Sequence, residues 1–214
     1  MNPLELLKES KELTPQLIDI RRYLHTHPEL GFTLTETLTY VKQQLTDMGY
    51  EPQDCGKAGL TVLAGGKHPR KVFLIRGDMD ALPITEMSDV SFPSNNGNMH
   101  ACGHDMHAAM LYGVLCRLNR ERNFEGTLFG IFQPGEELNP GGASLVLKEE
   151  PFKGYDVAAV IGEHVDARLE VGEIGICPGR FMASNDELRF RISGRGGHAA
   201  RRKEVDDTVT AMAD

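Results

Sequence analysis

Two periods of apolar residues alternate along this chain. Leu17, Ile20 and Leu24 recur at helical spacing and predict a helix over residues 3–26. A break is expected near Thr14 and Pro15, with Thr14 as cap and Pro15 in the first turn of a second piece. Pro28 and Gly31 stop the pattern. Leu38, Val41, Leu45 and Met48 predict a second helix over 35–48, with Gly49 at its C-cap position. Short apolar runs at 60–64 and 71–76 read as strands, the second more fully buried. A polar loop over 84–99 follows. Met110, Leu111, Val114, Leu115 and Leu118 then form the apolar stripe of a helix from His104 or Asp105 to about Arg120. A strand at 126–132, a helix through Val146 and Leu147, and a strand at 156–161 complete the run.

That alternation predicts an α/β fold: a mostly parallel sheet with helices on both faces. After Cys177-Pro178-Gly179 the pattern changes. Residues 186–193 alternate polar and apolar, as a half-exposed strand would, and a charged helix starts near Lys203. The expected division is one domain over 1–181 and the beginning of an α+β domain over 182–214.

Composition narrows the function classes. The formal net charge is −8 and no long block carries one sign. A nucleic-acid binder would show a basic face, so none is expected. No window reaches the apolar length of a membrane span. The N-terminal residues lack the apolar core of a secretory signal. Cys55, Cys102, Cys116 and Cys177 are scattered without a pairing pattern. Together these features predict a cytoplasmic protein.

The chemistry concentrates in His100-Ala101-Cys102-Gly103-His104-Asp105-Met106-His107. Thiolate and neutral imidazole suit Zn, Co, Ni and related ions. Strand ends supply more candidates: Asp78 and Asp80 after the second strand, Glu136 and Glu137 after the third, and His164 after the fourth. In open α/β sheets that edge is where sites form. Alternate residues of an extended segment point to opposite sides. Only one of the two aspartates, Asp80, is therefore expected to face the site. His25 and His27 at a helix end read as structural, and Cys116 as a small buried hydrophobe.

Cys102, His104, Glu137 and His164 make a ligand set of mixed type drawn from distant segments. Structural zinc sites favour local, cysteine-rich ligands instead. The set fits two divalent ions, with Cys102 bridging them, and such a pair brings the pKa of a shared water towards about 7. Glu136, beside the ligand Glu137, is the candidate general base. Asp80 is expected to support the site by orienting a ligand histidine. Taken alone, the glutamate pair reads equally well as a solvated loop.

These segments resemble the M20 metallopeptidases, in particular the amidohydrolase branch with aminoacylase-like, hippurate-hydrolase-like and auxin-conjugate-hydrolase-like enzymes. The matching text is Leu24 to Phe32, Arg76-Gly77-Asp78-Met79-Asp80-Ala81-Leu82-Pro83, Met99 to His107, Phe132 to Glu137, and Gly194 to Ala200. The resemblance implies a zinc-peptidase-like catalytic domain and two metal ions (Zn, Mn, Ni or Co) on Cys102, His104, Glu137 and His164. It implies Glu136 as base, Asp80 in support, and an N-acyl amino acid or related small amide as substrate. It also implies a lid domain that makes a homodimer, with His198 helping to bind substrate and stabilising a developing oxyanion.

The family is usually nearly twice this length, and its later part supplies a further ligand histidine. Arg201-Arg202-Lys203 stands where the family has a Pro-His pair, and Asp206-Asp207 where Asp-Pro is common. A truncated member is therefore expected, with exposed apolar surface. Three readings follow: a metal-dependent amide hydrolase, a metal-binding fragment without turnover, and a cysteine hydrolase using Cys102 with His104 or His107.

Overall fold

The computed structural model describes residues 2–198 and 200–213. Two compact units divide it, Met1–Val171 and Gly172–Asp214.

Helix α1, Pro3–Thr26, opens on Asn2, whose side chain accepts from the Leu4 amide at 3.0 Å. It runs unbroken through Pro15, against the expected interruption. The physical reason is exposure. Pro15 and Lys11 both face solvent, so water can satisfy the carbonyl left without its donor. Helix α2 is Thr35–Asp47. Three strands come next: β1 Gln53–Cys55, β2 Gly59–Gly65 and β3 Lys71–Asp78. Helix α3, His104–Arg120, leads to β4, Thr127–Gln133, then α4, Gly142–Glu149, and β5, Asp156–Gly162.

The five strands form one sheet in the order β1-β2-β4-β3-β5. β3 runs parallel to β4 and to β5, whereas β1-β2 and β2-β4 are antiparallel. The α/β class with flanking helices holds, and the sheet is mixed, with its parallel part in β4-β3-β5. β2 and β3 are joined by too short a connection for a parallel crossover, which forces β2 to run the other way. β1 escapes the apolar pattern because it is only three residues long.

Helices cover both faces of the sheet over β2, β4 and β3. Leu60, Val62, Leu128 and Phe132 pack with Leu24, Leu45, Leu111 and Leu115 of the first three helices. Val72, Leu74, Phe129 and Ile131 pack with Val146 of α4 on the other face. Completely burying a side chain such as Phe132 contributes about 2–3 kcal/mol. In α3 the buried face holds Ala108, Leu111, Tyr112 and Leu115, while Met110 and Val114 lie on the exposed strip. The expected apolar stripe was thus too wide.

All seven residues of β5 are exposed, among them Val160 and Ile161. In the second unit, residues 186–193 form no strand, and Leu188, Phe190 and Ile192 are exposed. A strand needs a hydrogen-bonding neighbour, and the alternation in sequence cannot supply one. The unit's regular structure is a 3-10 turn at Arg202–Glu204 and helix α5, Thr208–Ala213. Among the described residues, no helix is long and apolar enough to cross a membrane.

What positions the site is register. Asp78 of β3 lies opposite Gln133 of β4, and Arg76 of β3 opposite Gly162 of β5. Three parallel strands therefore end level, and the segments after them rise from one edge.

Candidate metal centre

Helix α3 brings the His/Cys stretch to that edge. Its backbone passes so close to Gly77 that a Cβ there would meet the His107 carbonyl at 2.8 Å. Gly103, the N-cap, takes φ +87°, a left-handed conformation open to glycine at little cost. The turn delivers Cys102 and His104 to the mouth of the sheet.

Cys102 Sγ lies 3.3 Å from His164 Nε2. Cys102, His104 and His164 each offer a ligand atom within 4.8 Å of the others. His104, Glu136 and Glu137 form a second such group, sharing His104 with the first. From His104 Nε2, Glu137 Oε1 is 3.8 Å away and Glu136 Oε2 3.9 Å. His104 is fully buried, and the Glu136 side chain keeps 41% of its exposure. The site is thus closed at His104 and open at the glutamates and at His164, which is exposed.

Both aspartates reach His104, against the expectation that only one would. Asp78 Oδ2 is 3.5 Å from His104 Nε2 and Asp80 Oδ1 is 3.7 Å from Nδ1. The strand ends at Asp78, so Asp80 lies in irregular backbone where strict alternation no longer applies. Asp80 accepts from the backbone amides of Glu136, at 2.9 Å, and of Glu137, at 3.2 Å. One buried carboxylate thereby fixes the main chain of the glutamate pair. Asp78 accepts from His107 Nδ1 at 2.6 Å and pairs with Arg76 at 2.8 Å. Its burial would raise its pKa, but His107, His104 and Arg76 outweigh that and hold it below the ordinary carboxylate range.

Four histidines near the cluster sort by their partners. His25 sits between Asp105 at 2.9 Å and Glu86 at 3.0 Å, and His27 Nδ1 lies 2.8 Å from the Tyr23 carbonyl, so both are structural. His107 bonds Asp78. His100 is buried, and desolvation holds its pKa down at about 4, so it stands neutral near pH 7. His198, in the second unit, is exposed, and its Nδ1 accepts from the Ala200 amide at 3.2 Å.

The donor set suits a cation. Neither nitrogen of His104 nor Glu137 Oε1 has a hydrogen-bond partner among the described residues, although all three atoms are buried. Buried polar atoms rarely go unpaired without a reason. Burial alone would lower the His104 pKa, yet Asp80, Asp78 and Glu137 carry it above its ordinary value. Burial and the charges of Glu137, Glu136 and Asp78 push the Cys102 thiol up to about 11. Both shifts mark a strongly negative potential, which a divalent ion would neutralise.

A profile of the peptidase family M20/M25/M40 matches residues 74–213. The chain belongs to this family. The M20 chain is 39% identical over 201 residues to an N-acetyldiaminopimelate deacetylase of Listeria welshimeri, covering 92% of this chain and 54% of the relative. It is 40% identical over 212 residues to an N-acyl-L-amino acid amidohydrolase of Geobacillus stearothermophilus, covering 98% and 57%. It thus spans about half the length of the curated relatives it matches. Among solved structures, the Bacillus subtilis YXEP protein, a dinuclear metal binding peptidase from the M20 family, superposes with a TM-score of 0.70 at 40% identity. That match covers 76% of this M20 chain and 45% of the other.

The reading from sequence underrated Asp78 and His107. The signal available was their company: an aspartate at a strand end and a histidine three residues beyond His104, on the same face of a helix.

Proposed function

We propose that this protein serves metal-dependent hydrolysis of the amide bond in N-acyl amino acids or related small amides. The observation that carries the reading is the pair of ligand groups sharing His104, the second of which includes the partly exposed Glu136. Cys102, His104, Glu137 and His164 would hold two divalent ions of the Zn, Mn, Ni or Co type. When bound, such ions supply Lewis acidity to a carbonyl and to water. Glu136 takes the proton from the attacking water on its carboxylate and passes it to the leaving amine. Asp80 keeps Glu136 and Glu137 in register by accepting from both of their amides. His198 is assigned to substrate binding.

The proposal assigns the catalytic part to residues 1–181 and the start of a lid that makes a homodimer to 182–214. It extends to a cytoplasmic address, in keeping with four free cysteines. A cysteine-hydrolase reading is disfavoured by the raised pKa of Cys102, since a thiol nucleophile needs a lowered one.

The test is metal content per chain together with hydrolysis of N-acetyl and N-benzoyl amino acids, with added Mn, Zn, Co or Ni. Glu136→Ala should keep its metal and lose hydrolysis. Loss of metal with that substitution would move Glu136 from base to ligand.

A further inference from the structure

Asp78, His104 and His107 also offer ligand atoms within 4.8 Å of one another, all buried. Geometry alone reads this as one more metal pocket. Counting protons gives a different answer. The Val165 backbone N–H, which can only donate, lies 3.0 Å from His107 Nε2. That nitrogen must therefore be the unprotonated one. The neutral ring then carries its proton on Nδ1 and donates it to Asp78 Oδ1 at 2.6 Å. Asp78 is anchored in turn by Arg76, whose Nε donates to Gln133 at 2.8 Å. Both nitrogens of His107 are committed, and no lone pair is left for a cation.

The other backbone group of Val165, its carbonyl, serves His164. Its Nδ1 lies 2.7 Å from the Val165 carbonyl oxygen, which can only accept. Nδ1 is therefore protonated, and the free lone pair is on Nε2, the atom 3.3 Å from Cys102 Sγ. The Val165 side chain packs where a Cβ on Gly103 would stand, between Cys102 and His104 in sequence. One residue thus touches the histidine behind the site, the histidine in it, and the turn that carries the thiol.

We infer that His107 is a positioning residue: it holds the Val165 N–H, and through the backbone of that residue, whose carbonyl meets His164, sets the tautomer and aim of His164. The chain of support runs from Arg76 through Asp78, His107 and Val165 to His164. The inference rests on the proposed ligand role of His164, and adds that His107 is not itself a ligand.

The first measurement needs no substitution. Nitrogen-15 NMR of the metal-free chain should show His107 and His164 both protonated on Nδ1. On titration with zinc, His164 Nε2 should shift as a ligand does, and His107 should not. A zinc-bound His107, or a His107 protonated on Nε2, overturns the inference. The second measurement is zinc affinity by chelator competition, in variants whose melting confirms folding. His107→Gln keeps an acceptor near the Nε2 position, whereas His107→Asn keeps only a donor near Nδ1. The asparagine and alanine variants should bind zinc about 10- to 100-fold more weakly, as loss of an outer support does. Glutamine should retain most of the affinity. The reverse order, or an unchanged His107→Ala, overturns the latch while a loss in His164→Ala leaves the ligand reading standing. Zinc affinity unmoved by His164→Ala would sink the ligand reading and this inference with it.

Discussion

Two neighbouring strands each end in a pair of carboxylates, and the pairs behave oppositely. After β3, Asp78 and Asp80 are at most 1% exposed, and hydrogen bonds engage both. After β4, Glu136 and Glu137 are partly exposed, and their carboxylates lie 3.8–3.9 Å from His104. The aspartates are held through their carboxylates, while the glutamates are held through their backbone amides. Reach explains the division. An aspartate one carbon from its backbone can brace the main chain, whereas the longer glutamate can follow a proton or meet a cation.

If that contrast is right, Asp80→Ala should be the most damaging change. It strands the amides of Glu136 and Glu137 and removes a charge beside buried His104, and should cost about 3 kcal/mol in denaturant unfolding. A cost below about 1 kcal/mol would mean that the glutamate loop is held by something else. Zinc comes next. At 100 times its dissociation constant it should stabilise the fold by about 2.7 kcal/mol, reversed by chelator. Glu137→Ala should remove that shift, whereas a glutamate pair that were only a solvated loop would leave it unchanged.

Glu86 offers a carboxylate outside the two pairs as a control. Burial would raise its pKa, but Ser88, the Ser94 amide and His25 bring it down to about 2, against an ordinary 4.5. A depressed folded pKa adds stability above the unfolded value and loses it as pH falls through the folded one. The native chain should therefore outlast Glu86→Gln in thermal melts at pH 7, and the gap should close between about pH 4.5 and 2. The smallest effect belongs to Glu136→Ala, within about 0.5 kcal/mol of the native chain by the same melts. A larger loss would place Glu136 with the aspartates.

Local pattern made much of this legible. The expected strands at 60–64, 71–76, 126–132 and 156–161 correspond to β2–β5 within two residues at each end. Helix α3 was readable because a His/Cys stretch with Gly103 abuts an apolar run. Long-range pairing was not legible. The antiparallel placement of β2 and the absent strand at 186–193 depend on which neighbour is present, and periodicity is blind to that. Cys102 and His104 stood out as candidates by residue type in a dense His/Cys stretch, and Glu136, Glu137 and His164 by their places beyond strand ends. Asp78 and His107 were undervalued because a buried brace and a metal ligand draw on the same amino acids. Only their hydrogen-bond partners separate the two.

β5 carries a last consequence. Among the described residues it pairs with β3 alone, and every one of its positions meets solvent. A strand gripped along a single border should open more readily than the central strands, and its amides should exchange faster than those of β3 and β4. Yet it leads to His164, an exposed member of the cluster. An exposed edge strand thus delivers an imidazole whose direction matters, and the tether from Val165 to His107 acts just beyond it.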